Sequence, residues 1–300
     1  MTVTELPVVL AEPEWRARAA AHRARVRPWV EPWRKRRAEA AAHPVDDFLF
    51  TYYSYRPSHL LRWHPGLGVT CQVSNDSWRA DFKGRGYVAS DAGVRLDPGA
   101  FTDRLTLVNW VAELLRRTSE RPAAVGCFGL HEWAMVYRQD PEEVRHASWP
   151  LRLPPEHIAA TVEASGLRCT HYDAFRFFTA EARPLNTRTL TRDDQLTTEQ
   201  PGCLHATMDL YKWSYKLSPL VCSDLVADCF ELARDVRLVD MQASPYDLSD
   251  LDVTPIAIET SEGRAEYIAH QREFIARAEP LRERLLREVN DIADELTRSR

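Results

Sequence analysis

Several familiar signatures are missing from this chain of 300 residues. Its six cysteines form no Cys-x-x-Cys pair, and no apolar run approaches the ~20 residues that a membrane-spanning helix needs. The N-terminal stretch also lacks the apolar segment of a secretory signal peptide. We therefore predict a cytoplasmic protein with free thiols and no membrane partner, because reducing compartments disfavour disulfides.

The motifs of the common nucleotide-using enzymes and hydrolases are absent as well. The chain contains no Gly-x-x-x-x-Gly-Lys phosphate loop, no dinucleotide-binding Gly-x-Gly-x-x-Gly, no kinase motifs and no Gly-x-Ser-x-Gly nucleophile elbow. A His-Glu-x-x-His zinc motif and an EF-hand loop are missing too. These absences argue against the enzyme classes that are each identified by one of these short motifs.

Positive charge is unevenly distributed along the chain. The formal net charge is −5, yet basic side chains crowd the N-terminal region. They are Arg16, Arg18, Arg23, Arg25, Arg27, Arg34, Lys35, Arg36 and Arg37. A basic arm on an acidic body is typical of proteins that bind DNA, although a solvated helix face explains the same residues. We predict a basic helical arm over residues 1–42 and a single α+β catalytic domain over residues 43–300.

Hydrophobic periodicity predicts a helix-rich α+β fold with short strands in the first two thirds. The predicted helices cover residues 12–42 (interrupted at Pro28 and Pro32), 102–118, 154–166, 204–217 and about 223–241. The predicted strands lie in the aromatic runs DDFLFTYYSYRP and AFRFFT and in the pieces YVAS and GVRLD. Two amphipathic helices, at about 261–278 and 280–298, close the chain and are separated at Pro280.

Three short tracts share one pattern, in which a cysteine precedes a histidine and a carboxylate lies close by. They are GCFGLHEW (126–133), CTHYDAF (169–175) and GCLHATMDLY (202–211). Buried acids beside histidines serve ion pairing, metal ligation or acid–base catalysis. His205 and Asp209 lie four residues apart on a predicted helix and face the same way, and a strand would place His171 and Asp173 on one face.

The three tracts could therefore converge on one divalent ion, iron or zinc. The candidate ligands are His131, Glu132, His171, Asp173, His205 and Asp209. Satisfied core histidines and helix-capping acids are the alternative explanation of the same residues.

A second group of candidate residues follows the arm and is rich in aromatic side chains. It contains Tyr52, Tyr53, Tyr55, Arg56, Trp63 and His64. Aromatic rings beside arginine can stack on a flipped base, and base removal also needs a carboxylate to stabilise charge as the glycosidic bond breaks. An aromatic core strand without any ligand explains the same residues.

With these tracts the chain resembles a group of actinobacterial proteins classed as 3-methyladenine DNA glycosylases. The resemblance rests on HPVDDFLFTYYSYRP, RWHPGLG, GCFGLHEWAMVYR, HYDAFRFFT and GCLHATMDLYKW, and it runs from about residue 43 to the C-terminal helices. It implies base-excision repair, in which the N-glycosidic bond of an alkylated purine in DNA is hydrolysed.

The hairpin of helix-hairpin-helix glycosylases has the form Leu-Pro-Gly-x-Gly-x-x-Thr, which HPGLGVT matches only in part. Thr70 comes one residue early, and a strand rather than a helix is predicted before the hairpin. We therefore expect a glycine turn that brings Trp63 and His64 to a pocket.

The sequence thus leads to a prediction of a DNA glycosylase without a cofactor and with DNA as its partner. Its catalytic residues would be Glu132, Asp209, His131 and His205, and the aromatic group would bind the base. Two alternatives stay open: a metal-dependent oxygenase or hydrolase acting on a small molecule, and a non-catalytic nucleic-acid-binding protein that uses the basic arm.

Overall fold

The computed structural model describes residues 8–76, 78–139 and 149–300, and within them the predicted helix-rich α+β class is confirmed. The strands are β1 (Val8–Leu10), β2 (Val69–Cys71), β3 (Tyr87–Ser90) and β4 (Gly93–Leu96). The helices of the first half are α1 (Glu12–Ala38), α2 (Phe48–Thr51), α3 (Pro57–Leu60), α4 (Trp78–Asp81), α5 (Leu105–Glu120) and α6 (Leu130–Ala134). Those of the second half are α7 (Pro155–Ser165), α8 (Tyr172–Phe175), α9 (Gln195–Thr198), α10 (Leu204–Lys216), α11 (Ser223–Gln242) and α12 (Ser261–Arg298). No helix in these ranges is long and apolar enough to cross a membrane.

The chain forms two compact units, each assembled from segments that are distant in sequence. Unit 1 comprises Met1–Glu113, Leu210–Glu231 and Leu281–Arg300, and unit 2 comprises Leu114–Asp209 and Leu232–Pro280. All four strands belong to unit 1, whereas the histidines of the three Cys-His tracts belong to unit 2.

The sheet of unit 1 has the strand order β1-β2-β4-β3. β1 runs parallel to β2, and β4 pairs antiparallel with both β2 and β3. The predicted strands YVAS and GVRLD are confirmed as β3 and β4, which form a hairpin. Buried side chains pack on this sheet from several elements: Leu10, Trp15, Trp63, Cys71, Trp78, Phe82 and Val94.

The proline interruptions predicted in the two longest helices are wrong. α1 continues through Pro28 and Pro32, and α12 continues through Pro280, so the two predicted C-terminal helices are one. Each of these prolines lies on an exposed face, where water can bind the carbonyl that loses its helical partner. Burial of the opposite face, with Val26 and Val30 fully inaccessible in α1, then stabilises the helix across the proline.

The strand predicted from the aromatic run before Pro57 is also wrong. Phe48–Thr51 forms the short helix α2 because Asp47 organises a helical turn before it. The Asp47 carboxylate accepts a hydrogen bond from the His43 amide at 2.9 Å and another from the Arg36 guanidinium. The strand predicted for AFRFFT is likewise replaced, by α8 and a turn. In both runs, aromatic residues pack on turns as readily as on strands because their β-propensity depends on context.

The stretch RWHPGLGV forms a glycine turn that leads into β2 rather than into a helix. Gly66 and Gly68 have φ angles of +92° and +82°, which only glycine adopts without strain. A side chain at Gly66 would also lie only 3.2 Å from the backbone nitrogen of Cys222, so the turn packs closely against that segment of unit 1.

The remaining predicted helices are confirmed, with small changes at their ends. The helix predicted over residues 102–118 begins at Leu105, after a 3-10 turn over Pro98–Arg104. The helices predicted near residues 154–166, 204–217 and 223–241 correspond to α7, α10 and α11.

Candidate metal centre

Three histidine rings lie side by side inside unit 2. The His131 and His205 rings meet edge to face with centroids 4.4 Å apart, and the His171 ring stacks on His205 at 5.3 Å. All three side chains are buried. The structure thus brings together one histidine from each Cys-His tract, with His205 in the middle.

The turn before α6 fixes the position of His131. Gly129 adopts a left-handed conformation with φ of +66°, and a side chain there would lie 3.2 Å from Ala243 at the end of α11. Two residues beyond His131, the Trp133 indole donates a hydrogen bond to the Ala243 carbonyl at 2.8 Å. α6 is therefore held against the end of α11, and His131 points toward the acids of that helix.

α10 provides both His205 and Asp209, four residues apart on one face. The His171 imidazole, immediately before α8, lies within hydrogen-bond reach of Asp209, with 3.2 Å between Nε2 and Oδ2. The spacing within α10 thus places His205 beside His131 and Asp209 beside His171.

The first cluster consists of His131, His205 and Asp240. One ligand atom from each of these buried side chains lies within 4.8 Å of the others. His131 Nε2 is 3.0 Å from Asp240 Oδ1. On the far side of Asp240, Arg237 Nη1 donates to Oδ2 at 2.7 Å and to Glu132 Oε1 at 2.8 Å. Arg237 therefore orients the Asp240 carboxylate with its other oxygen toward His131.

The geometry of the first cluster fits a bound metal ion. Despite their separation of 3.0 Å, His131 Nε2 and Asp240 Oδ1 form no hydrogen bond of regular angle, and neither atom has another hydrogen-bond partner in the described chain. Most buried polar atoms in proteins have a hydrogen-bond partner, and a bound ion would explain two adjacent atoms that have none of regular geometry. Two imidazole nitrogens and one carboxylate oxygen are a donor set that suits iron or zinc.

The charge states of the first cluster follow from burial and from its neighbours. Burial lowers the pKa of His131, but the Asp240 carboxylate outweighs this effect and the pKa is raised above its ordinary value. Burial and the adjacent His131 hold the pKa of His205 well below the ordinary value, so this imidazole is neutral. Burial raises the pKa of Asp240, yet His131 and Arg237 bring it far below its usual range. The cluster thus offers an ionised carboxylate and one neutral imidazole, and a cation bound there would require His131 to lose its proton.

The second cluster consists of His171, Glu199 and Asp209. His171 Nε2 lies 3.4 Å from Glu199 Oε1 and 3.2 Å from Asp209 Oδ2, and all three side chains are at most 3% exposed. One ligand atom from each lies within 4.8 Å of the others. The Gln195 side chain donates a hydrogen bond to Glu199 Oε1 at 2.9 Å and so orients that carboxylate.

A small cavity of about 120 Å³ lies beside the first cluster within unit 2. His131 and His205 are among its lining residues, together with Tyr267 and three cysteines: Cys127, Cys169 and Cys203. No side chain of the second cluster lines this cavity. The first cluster is therefore the one that a small molecule can approach.

The thiols of the cavity are protonated at neutral pH. Burial raises the pKa of Cys169 to about 12, and it raises the pKa of Cys203 well above the ordinary value. The pKa of Cys127 is raised for the same reason. All six cysteines of the chain are free. The three cavity thiols therefore act as an apolar lining rather than as nucleophiles.

Asp173 and Glu132 lie outside the two clusters. Asp173 is partly exposed and forms an ion pair with Arg176 at 3.3 Å. Glu132 is buried and bonded to Arg237, and its nearer oxygen is 4.0 Å from His131 Nε2. No group of three converging ligand atoms in the described residues includes Glu132 or Asp173.

The structure adds three residues to the candidate site that sequence reasoning missed. Asp240 and Arg237 lie three residues apart on α11, but this helix carries five other charged residues, so no sequence signal singles the two out. Glu199 follows α9 in an irregular segment, where no periodicity marks a buried acid.

The aromatic group predicted to bind a base belongs to unit 1 and packs largely within it. Tyr53 is 3% exposed and meets Tyr211 edge on with centroids 5.5 Å apart, and Tyr55 stacks on Tyr215 at 4.8 Å. Tyr52 stacks on Phe48 at 4.9 Å. Each of these rings therefore packs against at least one aromatic neighbour, and base binding by them stays a prediction.

The other members of the aromatic group have different surroundings. Trp63 is part of the buried core of unit 1, and His64 Nδ1 lies 2.7 Å from the Tyr87 hydroxyl. Arg56 is exposed. None of the six residues lines the cavity of unit 2.

Many basic side chains of α1 are paired with acids. Arg16 binds Glu12 and Asp81, and Arg25 binds Asp228 and Glu231. Further pairs are Arg18–Glu14, Arg27–Glu31 and Arg36–Asp47. These acids neutralise much of the positive charge that the sequence places on the arm.

Comparison with protein-family models, with curated proteins and with solved structures found no match for this chain.

Proposed function

We propose that this chain is a metal-dependent enzyme that holds a catalytic divalent ion, iron or zinc, on His131, His205 and Asp240. The observation that carries the proposal is the convergence of three buried ligand atoms within 4.8 Å beside a cavity that two of the ligands line. Two imidazoles and one carboxylate with an open side occur in non-haem iron oxygenases, and a similar set occurs in zinc hydrolases.

The residues around the cluster have distinct roles in this proposal. Arg237 fixes Asp240 and Glu132 through one guanidinium nitrogen, so the two carboxylates keep their orientation when an ion is absent or present. A bound ion would supply Lewis-acid polarisation of a substrate oxygen.

The size of the cavity favours a small substrate. Pockets for drug-sized ligands usually measure about 300–1,000 Å³, whereas this cavity measures about 120 Å³. The three cysteines contribute to a cavity wall that is largely apolar. All six cysteines are free, which supports a reducing cytoplasmic location.

Base excision, which the resemblance implies, stays a prediction without an observation that favours it over metal chemistry. Its carboxylates, Glu132 and Asp209, are bound to Arg237 and His171. Cleavage of alkylated DNA in excess chelator would test it directly, and DNA as a partner stays a prediction in the same way.

The proposal is tested by elemental analysis of protein purified without added metal or chelator. We expect bound iron or zinc in the wild type and its loss from the first cluster in His205→Gln. Asp173→Asn is the matched control, because Asp173 is a neighbouring acid outside both clusters, and this variant should keep the wild-type metal content. A wild type that binds no metal even after reconstitution would refute the proposal.

A further inference from the structure

We infer that His171, Glu199 and Asp209 hold a second divalent ion, separate from the catalytic one and with a structural role. The inference rests on the proposed function, because it adds a second, closed ion site to the open catalytic site on His131, His205 and Asp240. The ion would be one that prefers nitrogen and oxygen ligands, such as zinc, manganese or iron.

Three separate segments supply the ligands of the second cluster. His171 comes from the segment before α8, Glu199 from the end of α9 and Asp209 from α10. Their ligand atoms lie within 4.8 Å of one another although the residues are spread over a long stretch of chain. An ion at this point would tie together three segments of unit 2 that no strand pairing connects.

The charge of the second cluster matches a divalent cation. In the state that binds a metal, with both acids ionised and the imidazole neutral, the cluster would carry a charge of −2, and the three side chains are at most 3% exposed. Removing two carboxylates from water is costly, and a metal ion offsets that cost more completely than one protonated imidazole does. The ordering of Glu199 by Gln195 corresponds to the outer hydrogen bonds that usually hold ligating carboxylates.

The position of the second cluster indicates a structural rather than a catalytic ion. None of its three side chains lines the cavity, whereas His131 and His205 do. Structural zinc sites are closed by four protein ligands, and catalytic sites keep one position open for substrate. Three residues close the second site when one carboxylate binds the ion through both of its oxygens. The His171 ring stacks on His205, so an ion that fixes His171 also fixes one wall of the catalytic cluster.

The test is the number of ions that each variant binds after reconstitution with Zn²⁺ and removal of unbound metal. We expect two ions per chain in the wild type and in the control Asp173→Asn. Glu199→Gln and Asp209→Asn should each keep one ion, and His131→Gln should also keep one. Adding Zn²⁺ to metal-free protein should raise the thermal midpoint less in Glu199→Gln than in the wild type.

The outcomes separate the second site from the proposed function. One ion in the wild type that is lost in His131→Gln but retained in Glu199→Gln would overturn the second site and leave the catalytic site standing. One ion that is lost in Glu199→Gln and retained in His131→Gln would support the second site and refute the proposed function. No ion in the wild type would refute both. If Glu199→Gln fails to fold, Asp209→Asn and the wild-type stoichiometry still decide.

Discussion

Replacing Arg237 with methionine is expected to be among the most destabilising single changes in unit 2. The Arg237 side chain is 1% exposed, and its Nη1 atom bonds Glu132 and Asp240 at 2.8 and 2.7 Å. The variant would leave two buried carboxylates without this partner. Breaking a buried ion pair by removing one partner costs about 3–5 kcal/mol. That loss is a large part of the roughly 5–15 kcal/mol by which proteins are stable.

The measurement is urea unfolding followed by circular dichroism at pH 7, in the presence of a chelator. Chelation removes any metal that would otherwise compensate the two carboxylates. The matched control is Arg116→Met, which makes the same chemical change on a helix of the same unit. Arg116 pairs with Glu120 at 2.7 Å, but both side chains are about half exposed. Exposed pairs contribute less than about 1 kcal/mol, so the control should unfold close to the wild type.

A second variant separates the lost ion pair from a simple packing defect. Glu132→Gln removes one of the two charges that Arg237→Met leaves behind. The double variant should therefore lose less free energy of unfolding than the two single variants added together. If Arg237→Met costs no more than Arg116→Met, or if the double variant is fully additive, the charged network around Asp240 does not stabilise unit 2 and our description of it is wrong.

Three further predictions concern the rest of the molecule. Burial lowers the pKa of His64 to about 4, so below about pH 6.5 the unfolded chain binds more protons than the folded one. The free energy of unfolding should therefore fall by up to about 3 kcal/mol between pH 7 and 4. His64→Gln should flatten this decline and His157→Gln, at an exposed position, should not; equal slopes in the wild type and both variants would refute the prediction. Gly93→Ala should lower the thermal midpoint more than Gly84→Ala, because both have positive φ but only at Gly93 would the new carbon collide with the backbone of β2; similar midpoints would refute the steric argument. Pro280→Ala should raise the free energy of urea unfolding by about 2 kcal/mol, because the exposed proline interrupts the hydrogen bonds of a continuous helix. No gain would refute the expectation that Pro280 destabilises α12.

The elements that the sequence predicts well are those with a clear local signal. Periodic apolar residues define α5, α10 and α11, and glycine-bounded pieces define β3 and β4. The aromatic run before Pro57 misleads because its helical turn depends on a hydrogen bond from Arg36 to Asp47, which connects residues eleven apart. Helix interruptions were wrongly predicted at Pro28, Pro32 and Pro280 because a helix tolerates a proline on its exposed face. Which face is exposed depends on tertiary packing, and the proline itself does not indicate it.

For the site, as for the fold, spacing within one helix is informative in the sequence, whereas contacts between distant segments are not. The spacing of His205 and Asp209 indicates a shared helix face, and that face is what places one residue in each cluster. The acids adjacent to the histidines in sequence are a poorer guide. Glu132 binds Arg237, and Asp173 pairs with Arg176. The acids that contact the histidines come from other segments: Asp240 lies beside His131, and Glu199 lies beside His171. Ligands of this kind are brought together by packing, which no short motif records.

The donor atoms also limit which ions can occupy the two clusters. Three cysteines line the cavity, yet no thiol sulfur belongs to either cluster in the described part of the chain. Burial raises the pKa of these thiols, so they remain neutral and do not compete for a cation. Soft ions such as Cu(I) select sulfur ligands, whereas imidazole and carboxylate suit zinc, iron and manganese. The two clusters should therefore discriminate against soft metals even though three cysteines line the cavity, and Cu(I) should fail to displace Zn²⁺ from reconstituted protein at equal concentration.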